Sequence, residues 1–183
     1  RVAVLVTALK AALAAESSNE GRADTYFEHA LAMEKLGAND GAMEAYRSSI
    51  TEDPDISSEA HFKMSELLEG MGDYDGAVES LRAAIATDEY YADAHWNLAL
   101  LFKNKGDDAA ARTAKINAQK AYRELLARRR LVGDAAEDAH NLFRLGRLLE
   151  EEKAGGAGIV FRQAEEAYRA AIGAGERDDA DAH

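Results

Sequence analysis

Four of the five histidines, His61, His95, His140 and His183, each follow an alanine that itself follows an acidic residue. Imidazole and carboxylate in so regular a pattern raise zinc chemistry first, since these are the ligand types a cysteine-free chain can offer. The spacing argues against it. The four lie 34, 45 and 43 residues apart in turn, which makes them equivalent places in successive units. Side-by-side helices stand about 10 Å apart, too far for one ion to reach two such places. The expectation is therefore no metal, with each histidine packed beside a neighbouring helix and its polar edge bonded or wet; His29 is isolated and receives no role. Covalent catalysis finds no footing either. There is no cysteine, no serine in a Gly-x-Ser-x-Gly setting and no glycine-rich phosphate loop, and the carboxylates are spread along the chain. The chain reads as a non-enzyme without a cofactor.

The elements that carry these residues repeat. Gly37, Gly72 and Gly106 follow one another at 35 and 34 residues, and a period of that length means stacked units that share faces. Before each glycine, apolar residues recur at helical spacing: Tyr26, Ala30 and Met33; Met64 and Leu68; Leu98 and Phe102; and, in a later segment, Leu142, Leu145 and Leu149. Glycine then ends the helix, because it takes the left-handed cap without penalty. A second helix follows, with Ala42, Tyr46 and Ile50, then Ala77, Leu81 and Ala84, and last Ala164, Tyr168, Ala171 and Ile172 on its buried side. Small residues alternating with large ones let helices approach closely.

The 34-residue period, Gly-Asp-Tyr at 72–74, the Ala-x-x-x-Tyr/Leu-x-x-Ala pattern and the EDPD junction at 52–55 together resemble the tetratricopeptide repeat. Departures sit at the family's tryptophan-like first position, which is Tyr26, His61, His95 and Leu142 here, with Trp96 one residue later. The resemblance implies an all-α fold, a right-handed superhelical solenoid of stacked antiparallel helix pairs. Its units would be residues 23–56, 57–91, 92–134 and 135–175, with 1–16 as the second helix of a preceding repeat and 176–183 as the start of a following one. A signal peptide is the rival reading of the first segment, and Lys10 inside its apolar run argues against that. In the third unit Tyr122 stands 16 residues after Gly106, against 9 from Gly37 to Tyr46. The seven-residue surplus is two helical turns and is expected to project from the solenoid. The fourth unit carries a surplus in Ala-Gly-Gly-Ala-Gly at 154–158, expected as a loop.

Composition narrows the partner. The formal charge of −12 repels nucleic-acid backbones and favours basic partners. A mean hydropathy of −0.39 leaves no run long enough for a membrane span. In the family the first helices line the concave surface. One step off the buried face they carry Phe27, Phe62, Trp96 and Phe143, with Glu66 and Lys103 among the charged residues alongside, and Asp24, Glu34, Glu59, Glu69 and Asp93 as an acidic border. The resemblance thus implies a protein-interaction scaffold whose groove holds an extended peptide or helix that is basic and apolar. Large rings serve packing as well as binding, so both readings stand for the aromatic strip. The carboxylate clamp of the chaperone-binding members is largely missing, since its matching places hold Phe27, Leu31, Lys63, Asp93 and Asn97. Residues 112–130 run against the global charge, with seven basic side chains and one acidic one. Arg112, Lys120, Arg123 and Arg130 share a helix face opposite Ala114, Ala118, Ala121 and Leu125. That stripe is either a second contact for an acidic partner or a set of internal pairings. Two further roles compete with the scaffold: a structural subunit embedded in a large multiprotein assembly, and the recruiting arm of a larger enzyme.

Overall fold

The computed structural model describes residues 18–55, 57–129, 135–151 and 156–167, together with Thr7, Ala8, Ala11, Ala15, Glu16 and Arg169. Arg130, His183, Tyr168, Ala171 and Ile172 lie outside the described residues, as do nearly all of 1–16 and the whole of 176–183.

Among the described residues from Ser18 onward the helices run in order: α1 (Asn19–Lys35), α2 (Asn39–Glu52), α3 (Ser58–Gly70), α4 (Tyr74–Thr87), α5 (Ala92–Asn104), α6 (Asp108–Arg129), α7 (Ala135–Glu151) and α8 (157–167). There is no strand among the described residues. The fold is a helical solenoid of antiparallel pairs. The turns within the first three pairs share one chemistry. Gly37, Gly72 and Gly106 take φ of 71°, 81° and 77°, and the next amide reaches back across the turn: Ala38 to Met33 O, Asp73 to Leu68 O and Asp107 to Phe102 O, at 2.9–3.0 Å. This is the Schellman closure, which satisfies carbonyls the helix end leaves open. Two of the second helices then start on carboxylates, Asp73 accepting from Gly76 N and Asp107 from Ala110 N, whereas α2 starts at Ala38 without a side-chain cap.

The core has no single centre. One cluster joins α1, α2 and α3 through Ala30, Ala42, Tyr46, Ala60 and Met64. A second joins α3 to α6 through Phe62, Leu81, Ala94, Leu98 and Leu101. The third joins α5, α6 and α7 through Ala92, Tyr122, Leu145 and Leu148. Each pair completes its burial on the next, the defining property of a solenoid.

Helix α6 departs from the expected layout. It has 22 residues where α2 and α4 have 14. Its start is regular: Asp107 caps it as Asp73 caps α4, and Ala111 and Ala118 are buried at the places of Ala77 and Ala84. The surplus therefore lies at its C-terminal end, past the point corresponding to the end of α4, and Lys115, not Tyr122, occupies the place of Leu81. The added turns do not project. Tyr122 is fully buried, and Leu125 and Leu126 pack against the cluster containing Leu145, Leu148 and Leu149. The physical reason is that α7 has 17 residues, against 13 in α3 and α5, and offers apolar surface to those turns. In the glycine-rich stretch, Gly156 takes φ 104° and starts α8, so Ala157 and Gly158 are helical rather than loop.

Candidate functional site

The first helices α1, α3, α5 and α7 share a face that carries Glu34, Glu59, Glu66 and Asp93. Their common field is read in the tyrosines beneath them. Tyr46 donates to Glu34 Oε2 at 2.9 Å, and burial, then Glu34, then Glu66 and Glu59 push its phenol far above the ordinary range. Burial raises Tyr91 in the same way, helped first by Glu59 and then by Asp93 and Glu66. Charges from three helices thus converge on one region. Two basic side chains enter it. Lys63 donates to Glu66 Oε2 at 2.8 Å; burial opposes its charge, but Glu66, Glu34 and Glu59 hold its pKa above normal.

Arg144 from α7 is the second. Its Nη1 donates to Asp93 Oδ1 at 2.6 Å and to the Tyr122 hydroxyl at 3.2 Å. The Tyr122 hydroxyl in turn donates to Asp93 Oδ1 at 2.6 Å. The guanidinium lies over the Trp96 ring, 5.6 Å from its centroid. Burial opposes the Arg144 charge, and Tyr122, Asp93 and Glu66 outweigh that.

The aromatic strip is not a continuous free surface. Phe62 is only 7% exposed and packs on Tyr91, ring centroids 5.1 Å apart. It is a core residue, and its proposed contact with a partner does not stand. Phe27 is half-buried with its ring edge-on to Tyr46 at 5.6 Å, and Trp96 is half-buried beneath Arg144. Only Phe143 is open, at 44% exposure, with one side against Phe161. Leu100, exposed on α5, was not singled out by periodicity and adds apolar surface. Glu66 stays with the face, while Lys103 lines a separate cavity of about 570 Å³ with Asp108, Arg112, Lys115, Ile116 and Glu151.

Of the stripe Arg112, Lys120, Arg123 and Arg130, Lys120 is engaged within the fold, and so are Lys115 and Arg128 of the same segment. Lys120 pairs with Glu89 and lies over the Tyr90 ring, and Arg128 pairs with Glu124 over the same ring. Lys115 pairs with Glu151, whose carboxyl that hydrogen bond holds below its usual range. Arg112 and Arg123 are exposed. Lys115 therefore ties α6 to α7 and Lys120 ties it to Glu89 in the turn before α5, while Arg130 falls outside the described residues. The histidines do not converge: among the described residues no three His, Asp or Glu side chains gather as metal ligands. His95 is buried with Nε2 3.0 Å from Glu89 O, His61 is half-buried and His140 is exposed.

Comparison with known families decides what this architecture is. A family model described as the tetratricopeptide repeat matches residues 24–55, and one described as the TPR repeat matches 70–106. Residues 24–55 and 70–106 belong to the tetratricopeptide repeat family. Similar solved structures agree on the fold of these repeats. MamA 41-end from Desulfovibrio magneticus RS-1 is 17% identical, with 92% of this chain and 86% of that chain covered and a TM-score of 0.56. Another MamA crystal structure is 20% identical over 90% and 86%, at 0.55. The type III secretion translocator chaperone SycD of Yersinia enterocolitica is 17% identical over 78% and 92%, also at 0.55. No curated protein matches the sequence. Tetratricopeptide repeats form a protein-interaction scaffold, a role generally separate from catalysis, and no helix among the described residues is long and apolar enough to cross a membrane.

Proposed function

We propose that this scaffold takes an extended segment or helix of a basic, apolar partner along the face of α1, α3, α5 and α7. The observation that carries the reading is the convergence of Glu34, Glu59, Glu66 and Asp93 on one face, with the apolar side chains Leu100 and Phe143 open beside them. Carboxylates there attract and orient a basic partner, and desolvation of the apolar side chains supplies affinity. Phe62 is excluded from the contact by its burial and Lys103 by its place at the separate cavity; Phe27, Glu66, Trp96 and Phe143 remain in it. Titration of Trp96 fluorescence with amphipathic basic peptides tests this. Leu100→Ala and Phe143→Ala should each weaken binding about tenfold, as loss of a buried apolar anchor does. Unchanged affinity in both variants rejects the groove.

A second reading, a subunit held in a larger assembly, draws on a different observation. Leu36, Met71 and Tyr74, all about half exposed, stand at the turns between the first and second helices of the first two pairs. Leu36→Ser with Met71→Ser should then abolish incorporation into the assembly and spare peptide binding, and the opposite outcome rejects that role.

A further inference from the structure

Two repeats of this chain hold the same acidic and aromatic pair, and in one of them it seats a guanidinium. Helix α5 trails α1 by 69 positions, as Gly106 trails Gly37, and the buried alanines agree, Ala92 with Ala23 and Ala99 with Ala30. Asp93 and Trp96 therefore correspond to Asp24 and Phe27. Beside α5, Arg144 donates to Asp93 and Tyr122 and lies over the Trp96 ring. Beside α1, Asp24 and Phe27 line a cavity of about 230 Å³ with Ser49, Asp53 and Glu59, where α1 meets the end of α2 and the start of α3. By the same offset Asp53 stands at the place of Tyr122, and Ser49 at the place of Ala118. Ala118, like Ala84 in the intervening repeat, is fully buried. Where those repeats close the wall with a methyl, the first sets a hydroxyl on a residue only 7% exposed. The Ser49 hydroxyl makes no hydrogen bond among the described residues, and a buried polar group in that state points to a missing partner. The nearby cations are committed elsewhere. Helix α7 trails α5 by 47 positions and α5 trails α3 by 34, so Arg144 corresponds to Lys63. Lys63 donates to Glu66 at 2.8 Å and Arg22 to Glu52 at 2.6 Å, and neither lines the cavity. Asp24 and Glu59 form no ion pair among the described residues, and Asp53 spends only Oδ1, on the amide of Asp55.

We propose that this cavity takes an arginine side chain of the bound partner, its guanidinium held among Asp24, Asp53 and Glu59, donating to the Ser49 hydroxyl and lying against Phe27 as Arg144 lies over Trp96. This rests on the reading of that face as the partner groove and names the side chain it selects. A metal ion is the wrong occupant, because among the described residues no three carboxylates or imidazoles gather closely enough to ligate one. Lysine is the poorer one. The acceptors come from three elements around the cavity, and a planar guanidinium offers five donors in a fixed fork, with a face for the ring, whereas an ammonium is a single point of charge.

The test titrates two octapeptides, leucine alternating with arginine and leucine alternating with lysine, into the parent chain, Asp24→Asn, Ser49→Ala and Glu28→Gln by calorimetry. Alanine already stands at the place of Ser49 in the next two repeats, so the fold accepts Ser49→Ala. Glu28 is exposed on α1 outside the cavity and controls for the loss of a charge. The arginine peptide should bind the parent about tenfold tighter than the lysine peptide, and Asp24→Asn should cut that ratio to about twofold. Ser49→Ala should cut it about threefold, the share of one hydrogen bond to a charged group. Glu28→Gln should weaken both peptides alike, by less than about twofold, as a rim charge does. Equal binding of the two peptides by the parent overturns the proposal, and so does a ratio that survives Asp24→Asn or Ser49→Ala. If Asp24→Asn fails to fold, Glu59→Gln replaces it with the same expectation and the same refutation. Leu100→Ala and Phe143→Ala separate the two claims. If they weaken both peptides while the parent shows no preference for arginine, the groove stands and the arginine site falls. If neither affects either peptide, the groove falls, and the response of the ratio to Asp24→Asn decides the cavity by itself.

Discussion

Arg144→Ala tests how α7 is joined to the rest of the array. The substitution removes two charge-assisted hydrogen bonds, at 2.6 Å to Asp93 and 3.2 Å to Tyr122, and a cation lying over Trp96. A hydrogen bond to a charged group contributes about 1.5–3 kcal/mol and a partly exposed cation–π contact about 0.5–1 kcal/mol. The Arg144 and Asp93 side chains are 23% and 32% exposed, so solvent screening trims the sum to about 2 kcal/mol. At roughly 2–4 °C per kcal/mol for a chain of this size, Tm should fall by about 4–8 °C. Urea unfolding with Arg144→Ala, Asp93→Ala and the double substitution measures the coupling, expected at about 1 kcal/mol or more for groups in direct contact. Arg144→Lys keeps the charge but loses the fork, and should recover less than half. Hydrogen exchange should accelerate in α7 and leave α1 and α2 unchanged, because each repeat is stabilised by its immediate neighbours. Additive single substitutions, or an Arg144→Ala effect below about 0.5 kcal/mol, refute the idea that this contact fastens the fourth unit.

Leu81 is fully buried in the second cluster, and Leu81→Ala should lower the urea-derived stability by about 2–5 kcal/mol. Two glycines should respond differently to alanine. Gly72 takes φ 81° with nothing within 4 Å, so Gly72→Ala costs only backbone strain, about 1 kcal/mol by the same measurement. At Gly146 an added methyl would stand 2.7 Å from the Phe161 ring, so Gly146→Ala should cost about 1–3 kcal/mol from overpacking and be partly relieved by Phe161→Leu. Burial lowers the His61 pKa below its ordinary value of 6.5. The unfolded chain then binds the proton more readily, so this contribution is complete above 6.5 and is lost as pH falls through the folded value. Thermal melts at about pH 7.5 and about pH 5 should therefore show a smaller acid loss for His61→Gln than for the parent; equal losses remove His61 from the account.

The turns were the most legible part of the chain. Gly37, Gly72 and Gly106 announce their positive φ because a single local requirement, a left-handed cap, is met by one residue type. The alanines at 77, 84 and 118 were legible for a related reason, since close helix contact admits little else. The aromatic strip was not. Phe62 and Trp96 stand 34 residues apart and look equivalent, yet Tyr91 covers one and Arg144 lies over the other. Those covering residues come from different elements, 29 and 48 residues along the chain. Periodicity compares positions within one helix type and carries no information about which neighbour arrives on top. The α6 surplus was misplaced because a large ring, Tyr122, imitates Tyr46 in type while occupying a later turn. Its true counterpart, Lys115, is marked only by being the wrong kind of residue for a plug that is Tyr46 or Leu81 elsewhere.

That exchange of a plug for a charge bears on how the molecule presents its field. With lysine at 115, α6 meets the end of α7 through an ion pair to Glu151, and the buried ring of Tyr122 joins the two helices two turns later. Lys120 and Arg128 likewise spend their charge on Glu89, Glu124 and the Tyr90 ring. Three cations of the segment that looked most suited to an acidic partner are thus neutralised close to home. The face of the first helices is the reverse case: among the described residues Lys63 and Arg144 are paired there, with Glu66 and Asp93. Glu34 and Glu59 have no ion pair among the described residues, which leaves a carboxylate excess on that face. Long-range attraction falls off within about 8 Å at physiological salt, so partner choice follows the nearest uncompensated charges and not the molecular total. Under the proposed function a basic segment would be steered to the face carrying Glu34 and Glu59, while Lys115, Lys120 and Arg128 of α6 are engaged by Glu151, Glu89 and Glu124.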